Sequence, residues 1–174
     1  MTTPSGIISL PMKVLRDSLG DSAAFRTFAG AADQAAALAR IHYFELTPPA
    51  NGEVYTKVEI AALRPYAIVA TQDRNGFSAE LDGVSDHFEF ADAGRLWLYL
   101  ARSVAGDSPD LDFCNHLGAI VEDLCELAGQ AGYLAFNEIA LEAGPFRGHH
   151  DLDPTEGEEQ IAVFSVEYDH TESG

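Results

Sequence analysis

The residues best suited to chemistry lie together in residues 144–160, GPFRGHHDLDPTEGEEQ, where two histidines stand beside several acids. His149 and His150 are adjacent, so on an extended chain their side chains point to opposite sides. Only one of them could therefore join Asp151 or Asp153 at a single ion. The segment matches a calcium-binding loop only in part, because a proline stands where a flexible turn is needed. We favour a solvated loop or a subunit contact here, and keep a small metal-dependent hydrolase as an alternative hypothesis.

The rest of the sequence contains no recognisable active-site motif. Gly-x-Ser-x-Gly, Walker and Gly-x-Gly-x-x-Gly motifs, the usual signatures of hydrolase nucleophiles and of phosphate binding, do not occur. Cys114 and His116 are two residues apart in a predicted helix, so they face different directions. Cys114 and Cys125 are predicted to be buried thiols. We expect no catalytic residues, no metal and no cofactor, and a protein that is not an enzyme.

The charge of the chain is large and unevenly distributed. The formal net charge is −18 over 174 residues. Residues 107–174 contain sixteen acidic residues and one basic residue, Arg147, a net charge of −15, whereas residues 1–106 contribute −3. Such a field repels phosphates, so the charge argues against specific binding of DNA or RNA in a basic groove. Two hypotheses remain for the acidic charge. It binds a basic protein partner, or it forms a surface that does not retain DNA.

The chain has the size and composition of one soluble domain. Its 174 residues fall within the usual range of a single domain, and 47% of them are hydrophobic. No apolar run approaches the roughly 20 residues needed to cross a bilayer, and the first residues do not have the pattern of a signal peptide. We therefore expect one domain over residues 1–174, a cytoplasmic setting and no contact with a membrane.

Two helical regions are predicted. In residues 9–40, Ser9 is placed to cap a first helix and Gly20 to end it. Two further caps and a break between them are expected at Asp21, Asp33 and Gly30. The clearest helix is predicted over residues 110–131, where one apolar face recurs at helical spacing: Phe113, Leu117, Ile120, Val121, Leu124 and Ala128.

Short strands are predicted over residues 41–104, because runs rich in β-branched and aromatic residues alternate with turn signals. The runs cover residues 41–46, 54–60, 65–72, 77–82, 86–91 and 94–104. A closing pair of strands is predicted over residues 133–169, with a flexible end at 170–174. The order of elements predicts an α+β fold, a single domain with a mainly antiparallel β-sheet flanked by helices on one face.

Three segments together suggest a family. Residues 23–46 combine a helix, a loop and a first strand, and residues 90–104 followed by 112–129 combine a strand with a long helix. In residues 132–169, a proline and an arginine follow the first of two strands, and a short acidic loop leads into the second. This order resembles that of the tail terminator proteins of long-tailed bacteriophages, also called tail completion or minor tail proteins.

The resemblance implies a structural protein of the virion that is not an enzyme. Such proteins form a ring, usually of six copies, at the head-proximal end of the tail, after assembly in the host cytoplasm. The ring caps the tail tube, ends its polymerisation and meets the head-side connector. The implied partners are further copies of the chain, the tail tube protein and the connector protein. Negatively charged walls would let DNA pass without specific binding.

A ring needs a head-to-tail contact between neighbouring subunits. The candidate interface residues come from the doubly apolar strand at 94–104 and from the segment 144–160: Trp97, Tyr99, Phe146, Arg147 and His149. As the only base in the acidic half, Arg147 is expected to pair with a carboxylate of its own or of an adjacent subunit. A rival hypothesis is an acidic binding protein, such as a DNA mimic or an inhibitor of a basic partner.

Overall fold

The computed structural model describes residues 7–46, 55–82, 87–105, 107–128, 134–148 and 159–173. The helices in these residues are α1 (Leu10–Asp21), α2 (Ala23–Ala29), α3 (Gln34–Leu38), α4 (Lys57–Leu63) and α5 (Pro109–Ala128), and a 3-10 turn, Ile7–Ser9, precedes the first. The strands are β1 (Ile41–Tyr43), β2 (Tyr66–Asp82), β3 (His87–Ser103), β4 (Leu134–Gly148) and β5 (Glu159–Ser173). One mostly antiparallel sheet with packed helices confirms the predicted α+β class. None of the helices in these residues is long and apolar enough to span a membrane.

Side-chain and glycine caps divide the N-terminal region into separate helices. The Ser22 hydroxyl caps α2 by accepting a hydrogen bond from the Phe25 amide at 2.9 Å. Helix α2 ends at Gly30, whose φ of 62° is left-handed and suits glycine. Asp33 caps α3 through a hydrogen bond of 2.8 Å from a backbone amide three residues further on. The predictions for Gly30 and Asp33 are confirmed, but the cap of α2 is not the predicted Asp21.

Helix α1 continues through Gly20, where the sequence predicts its end. A Cβ at this position would lie 2.7 Å from Cδ2 of Leu38. α1 and α3 pack closely here, so a larger residue would force the Leu38 side chain to shift, and the helix ends one residue later at Asp21. At its start, the Ser9 side chain makes no capping hydrogen bond, and the start signal is the proline in the first turn.

The strand predicted over residues 54–60 is wrong, because this segment leads into helix α4. The Thr56 hydroxyl accepts a hydrogen bond from the Glu59 amide at 3.3 Å, and the Glu59 carboxylate accepts one from the Thr56 amide at 2.8 Å. This reciprocal capping box satisfies two amide groups at the helix start. It outweighs the strand preference of the β-branched Val58 and Ile60.

Two predicted strand breaks are also wrong, because β2 and β3 are long and continuous. The turn signal at Asp73–Gly76 lies within β2, where the register against β3 shifts twice between Thr71 and Gly76. Such bulges insert residues into a strand without ending it. Gly94, predicted to begin a separate strand, lies within β3 opposite the bulges, and a Cβ on it would overlap the carbonyl oxygen of Asp73.

The strands form one sheet in the order β1-β2-β3-β5-β4. β1 runs parallel to β2, and the other neighbours are antiparallel. β5 continues to Ser173 and pairs with β3 throughout. Residues 170–173 are therefore strand, contrary to the predicted flexible end, and His170 among them is fully buried.

One hydrophobic core joins the helices to one face of the sheet. Leu96, Leu98 and Leu100 alternate along β3 and point into this core. The predicted apolar face of α5 is confirmed by four buried residues: Phe113, Leu117, Ile120 and Leu124. Cys114 and Cys125 lie outside that face and are exposed free thiols, so the prediction that they are buried is wrong.

Candidate subunit interface

Trp97 and Tyr99 lie on the sheet face that points away from the core helices. They alternate along β3 with its buried leucines, and successive side chains of a strand point to opposite faces. Both side chains are partly buried. The predicted strand with apolar residues on both faces is thus confirmed. Its second face, which we call the open face, includes Ile68, Ala70, Trp97, Tyr99 and Val163.

The open face is mainly apolar across the three central strands, with Ser165 of β5 as the polar neighbour of Trp97. Strand pairing places Tyr99 between Ile68 of β2 and Val163 of β5, and places Trp97 beside Ala70. All five apolar side chains are partly exposed. Contiguous, partly exposed apolar groups are typical of protein contacts, in which large aromatic side chains contribute much of the binding energy. The open face is therefore suited to a protein partner.

A buried ion pair lies near one end of the open face. Arg64 Nε is 3.4 Å from Glu159 Oε1, and the two side chains are 1% and 8% exposed. The Tyr66 hydroxyl donates to the same oxygen at 3.4 Å, and its ring stacks on Tyr99 with the centroids 6.2 Å apart. Burial, followed by the charge of Glu159, raises the pKa of Tyr99 to about 12, and burial also raises the pKa of Tyr66. Both phenols are protonated at neutral pH, and the Tyr66 hydroxyl is the hydrogen-bond donor to Glu159.

Arg147 binds a carboxylate of its own subunit, which is one of the two partners predicted for it. Its Nε and Nη2 donate to Oδ1 and Oδ2 of Asp110, each at 2.9 Å. Gln160 donates to the same Oδ1 at 2.8 Å, and these hydrogen bonds, with that of Arg147 first, lower the pKa of Asp110. Close to the Arg147–Asp110 pair, Arg102 of β3 donates a hydrogen bond to Asp112 at 2.8 Å. The two arginines thus attach the start of α5 to the strands, and because the carboxylates are exposed, they orient the helix more than they stabilise it.

The other predicted site residues lie partly or wholly outside the described residues. Phe146 belongs to β4, where its backbone pairs with Ile161, and its side chain is not described. His149 falls in residues 149–158, outside the described ranges, as do the other three candidate metal ligands: His150, Asp151 and Asp153. In the part of the chain that the structure describes, no group of three or more His, Cys, Asp or Glu side chains could hold a metal ion. The metal-dependent alternative therefore stays a prediction about residues 149–153.

Phe44 is a candidate contact residue that sequence patterns do not reveal. It follows β1 with a left-handed φ of 61°, although the alternation in residues 41–46 predicts a continuing strand. This conformation costs a non-glycine residue about 1–3 kcal/mol. The Phe44 amide donates to the Val69 carbonyl at 2.9 Å, which holds the backbone in place. The Phe44 side chain is 63% exposed, and the Arg16 guanidinium lies 5.7 Å from the centroid of the neighbouring Tyr43 ring.

A second buried polar cluster, on β2, β3 and β5, adjoins the main core, of which Tyr168 is part. Asp92 is 2% exposed, and its Oδ2 lies 3.1 Å from Arg74 Nη1. The Tyr168 hydroxyl donates to the same oxygen at 3.2 Å, and burial, followed by the charge of Asp92, raises the pKa of Tyr168 to about 12. The ring of His170 meets Phe90 edge-on with the centroids 4.9 Å apart. These contacts hold three strands together beyond the helical layer.

A shallow groove of about 560 Å³ on the same strands is lined by hydroxyl, imidazole and carboxylate residues from β2, β3 and β5. Strand pairing sets His170 opposite Asp92, whereas Ser78 and Thr171 pair with Ala91. Because alternate residues point to opposite faces, these hydroxyls lie on the other side of the sheet from the imidazole and the carboxylate. The groove therefore does not assemble a hydroxyl–histidine–carboxylate relay.

Comparison with known proteins does not assign the chain to a family. No protein-family model matches it, and no curated protein matches it at a significant level. Its function is therefore inferred from its own surface and charge.

Proposed function

We propose that this chain is a structural virion protein of a long-tailed bacteriophage, a tail terminator that acts as a ring. By resemblance to tail terminators, the ring contains six copies, caps the tail tube, ends its polymerisation and joins the tail to the head-side connector. The chain acts through contacts with copies of itself, the tail tube protein and the connector protein. The observation that carries the proposal is the unequal charge of the two ends of the sheet.

The acidic residues are concentrated in α5, β4 and β5. Residues 7–46, which contain α1, α2, α3 and β1, have four basic and four acidic residues and no net charge. Helix α5 with β4 and β5 has eleven acidic residues and one basic residue, Arg147, a net charge of −10. β1 and β4 are the ends of the strand order, and β4 carries the exposed Glu138 and Glu142, whereas β1 contains no acidic residue. Unlike ends suit a head-to-tail contact, the kind from which rings close.

An acidic ring also suits a channel through which DNA passes. Carboxylates repel the phosphate backbone, so the DNA gains no binding free energy from the wall and does not stick to it. Helix α5 carries Asp112, Glu122 and Glu126 as exposed acids that could contribute to such a wall. The open face with Trp97 and Tyr99 provides a separate, apolar surface for the tail tube or the connector.

The same exposed acids on α5 favour one other function, that of an acidic binding protein such as a DNA mimic. A mimic works as a monomer or dimer and binds a basic partner. Its binding would weaken steeply with salt, because charge contacts dominate it. The oligomeric state therefore distinguishes the two functions.

Assembly with tail tubes tests the proposal. When the purified chain is added to growing tubes of the matching tail tube protein, electron microscopy should show one ring at one end of each tube, and growth should stop. Tubes that keep growing without a bound ring, combined with tight binding of the monomeric chain to a basic partner, would reject the tail terminator and favour the mimic.

A further inference from the structure

The two ends of the sheet differ in side-chain chemistry as well as in charge. At the β1 end, the rings of Tyr43 and Phe44 are exposed, and the Arg16 guanidinium lies over the Tyr43 ring and 3.6 Å from the carboxylate of Asp17. At the β4 end, Leu141 is 49% exposed and is followed by the exposed Glu142. One end thus presents aromatic rings beside a paired arginine, and the other presents an aliphatic side chain with a carboxylate.

Both ends are open sheet edges within the described residues. There, β4 pairs only with β5, and β1 pairs only with Ala67–Val69 of β2. Beyond β1, six consecutive residues of β2, Asn75–Glu80, are exposed whichever face they point to. The unpaired backbone groups of an open edge can form hydrogen bonds with a strand of another chain, unless charged residues, prolines or bulges on the edge prevent it. Three register shifts and Pro145 interrupt β4, so its edge is suited to side-chain contacts rather than to a long ladder of hydrogen bonds.

A contact between two copies of the same end is disfavoured at β4. It would place the exposed Glu138 and Glu142 of one copy against the same residues of the other, and juxtaposed like charges oppose association. A contact between unlike ends avoids this juxtaposition of Glu138 and Glu142 with their own copies and places Leu141 against the exposed aromatic rings. The apolar groups are then complementary.

We propose that the β4 edge of one copy contacts the β1 end of the next, with Phe44 packed against Leu141 as the anchor, an inference that rests on the ring assembly proposed as the function. The backbone of the single chain already holds Phe44 in place, since its amide donates to Val69 at 2.9 Å and the next amide, of Glu45, donates to Tyr43 at 2.7 Å. An anchor that is held before binding loses little conformational entropy when the contact forms. This explains why the chain retains a strained, exposed aromatic residue at this place.

The variant Phe44→Gly separates association from folding. Glycine adopts a φ of 61° without strain, so this variant should unfold at the same or a higher denaturant concentration than the wild type. Loss of the ring should weaken association by at least about tenfold, measured by sedimentation. Phe44→Asn is a second variant that tolerates the left-handed backbone. Leu111→Ala is the matched control, because it removes another exposed apolar side chain, 65% exposed, from the first turn of α5 and should leave association unchanged.

Mixing two variants tests whether the contact joins unlike ends. Leu141→Lys places a cation on the β4 edge and should likewise weaken association by at least about tenfold. Phe44→Gly keeps an intact β4 edge, and Leu141→Lys keeps an intact β1 end. An equimolar mixture of Phe44→Gly and Leu141→Lys should therefore form a one-to-one dimer that does not grow. Variants that assemble like the wild type, or a mixture that stays monomeric, would overturn the proposed contact. If the wild type and both variants all form rings, this contact is wrong but the ring function stands. If the wild type never assembles, even on tail tubes, the ring function is wrong as well.

Discussion

Single residues matter most in this fold where charge is buried. Arg64 and Glu159 are nearly inaccessible to solvent, and each compensates the charge of the other. Breaking such a pair from one side leaves the remaining charge buried without compensation, which is far more destabilising than replacing both partners.

We expect Glu159→Gln to lower the free energy of unfolding by about 3–5 kcal/mol, because it leaves the Arg64 guanidinium uncompensated. The double variant Arg64→Met with Glu159→Gln should recover much of this loss, since no buried charge then remains. Urea unfolding of the wild type and the variants measures both effects. Equal losses in the single and double variants would show that the pair does not behave as a buried ion pair.

The pH dependence of stability has an identifiable contribution from Asp123 of α5. Its Oδ2 accepts hydrogen bonds from the Ala24 amide at 2.9 Å and the Ser22 hydroxyl at 2.7 Å, and these, the backbone bond first, lower its pKa. A carboxyl group with a lowered folded pKa adds stability above its unfolded pKa of about 3.9 and loses it as the pH falls through the folded value. Asp123→Asn should therefore reduce the loss of stability on acidification below about pH 4, as measured by urea unfolding at a series of pH values. An unchanged acid slope would contradict this role.

At the scale of elements, the continuity of β2 and β3 depends on one glycine. Gly94 lies where the β2 bulges come closest, so that a Cβ would overlap the backbone at Asp73. We expect Gly94→Ala to lower the free energy of unfolding by about 1–3 kcal/mol, because the strands must move apart. Gly118→Ala is the control, since nothing lies within 4 Å of a Cβ there and alanine should stabilise helix α5 by about 0.5–1 kcal/mol. Equal effects of the two changes in thermal or urea unfolding would rule out the close approach as the cause.

The elements that could be predicted from sequence are those whose local pattern matches their tertiary burial. Helix α5 was predictable because Phe113, Leu117 and Ile120 repeat at helical spacing and face the core. β3 was predictable because its leucines alternate with Trp97 and Tyr99 on two apolar faces. The pairing of Arg147 with a carboxylate was predictable because it is the only base in the acidic half.

The errors arise where a distant partner decides the local structure. The turn signal at Asp73–Gly76 becomes a pair of bulges only because β3 continues beside it. Phe44 is held in a left-handed conformation by Val69, more than twenty residues away, and no local pattern indicates this. Helix α4 is a different case, because its signal is local. The Thr56 and Glu59 capping box can be recognised in the sequence, but the alternating β-branched residues beside it favoured the prediction of a strand.

The whole molecule combines two unlike sheet ends with one apolar sheet face. The neutral β1 end and the acidic β4 end favour a directional contact between copies, and the rotation at that contact decides whether a ring or a filament results. The open face then remains for a different protein, which suits a subunit that must hold its neighbours in the ring and also meet the tail tube or the connector.

The mass of the assembled protein tests this central claim most directly. We expect native mass spectrometry and light scattering, from micromolar to millimolar concentration and with tail tubes as a template, to show a closed species of six 18.7 kDa chains, about 112 kDa. The mass should stop increasing once the ring has closed. A single-chain mass over the whole range, with no assembly on tail tubes, would contradict the proposal that this chain is a ring-forming tail terminator.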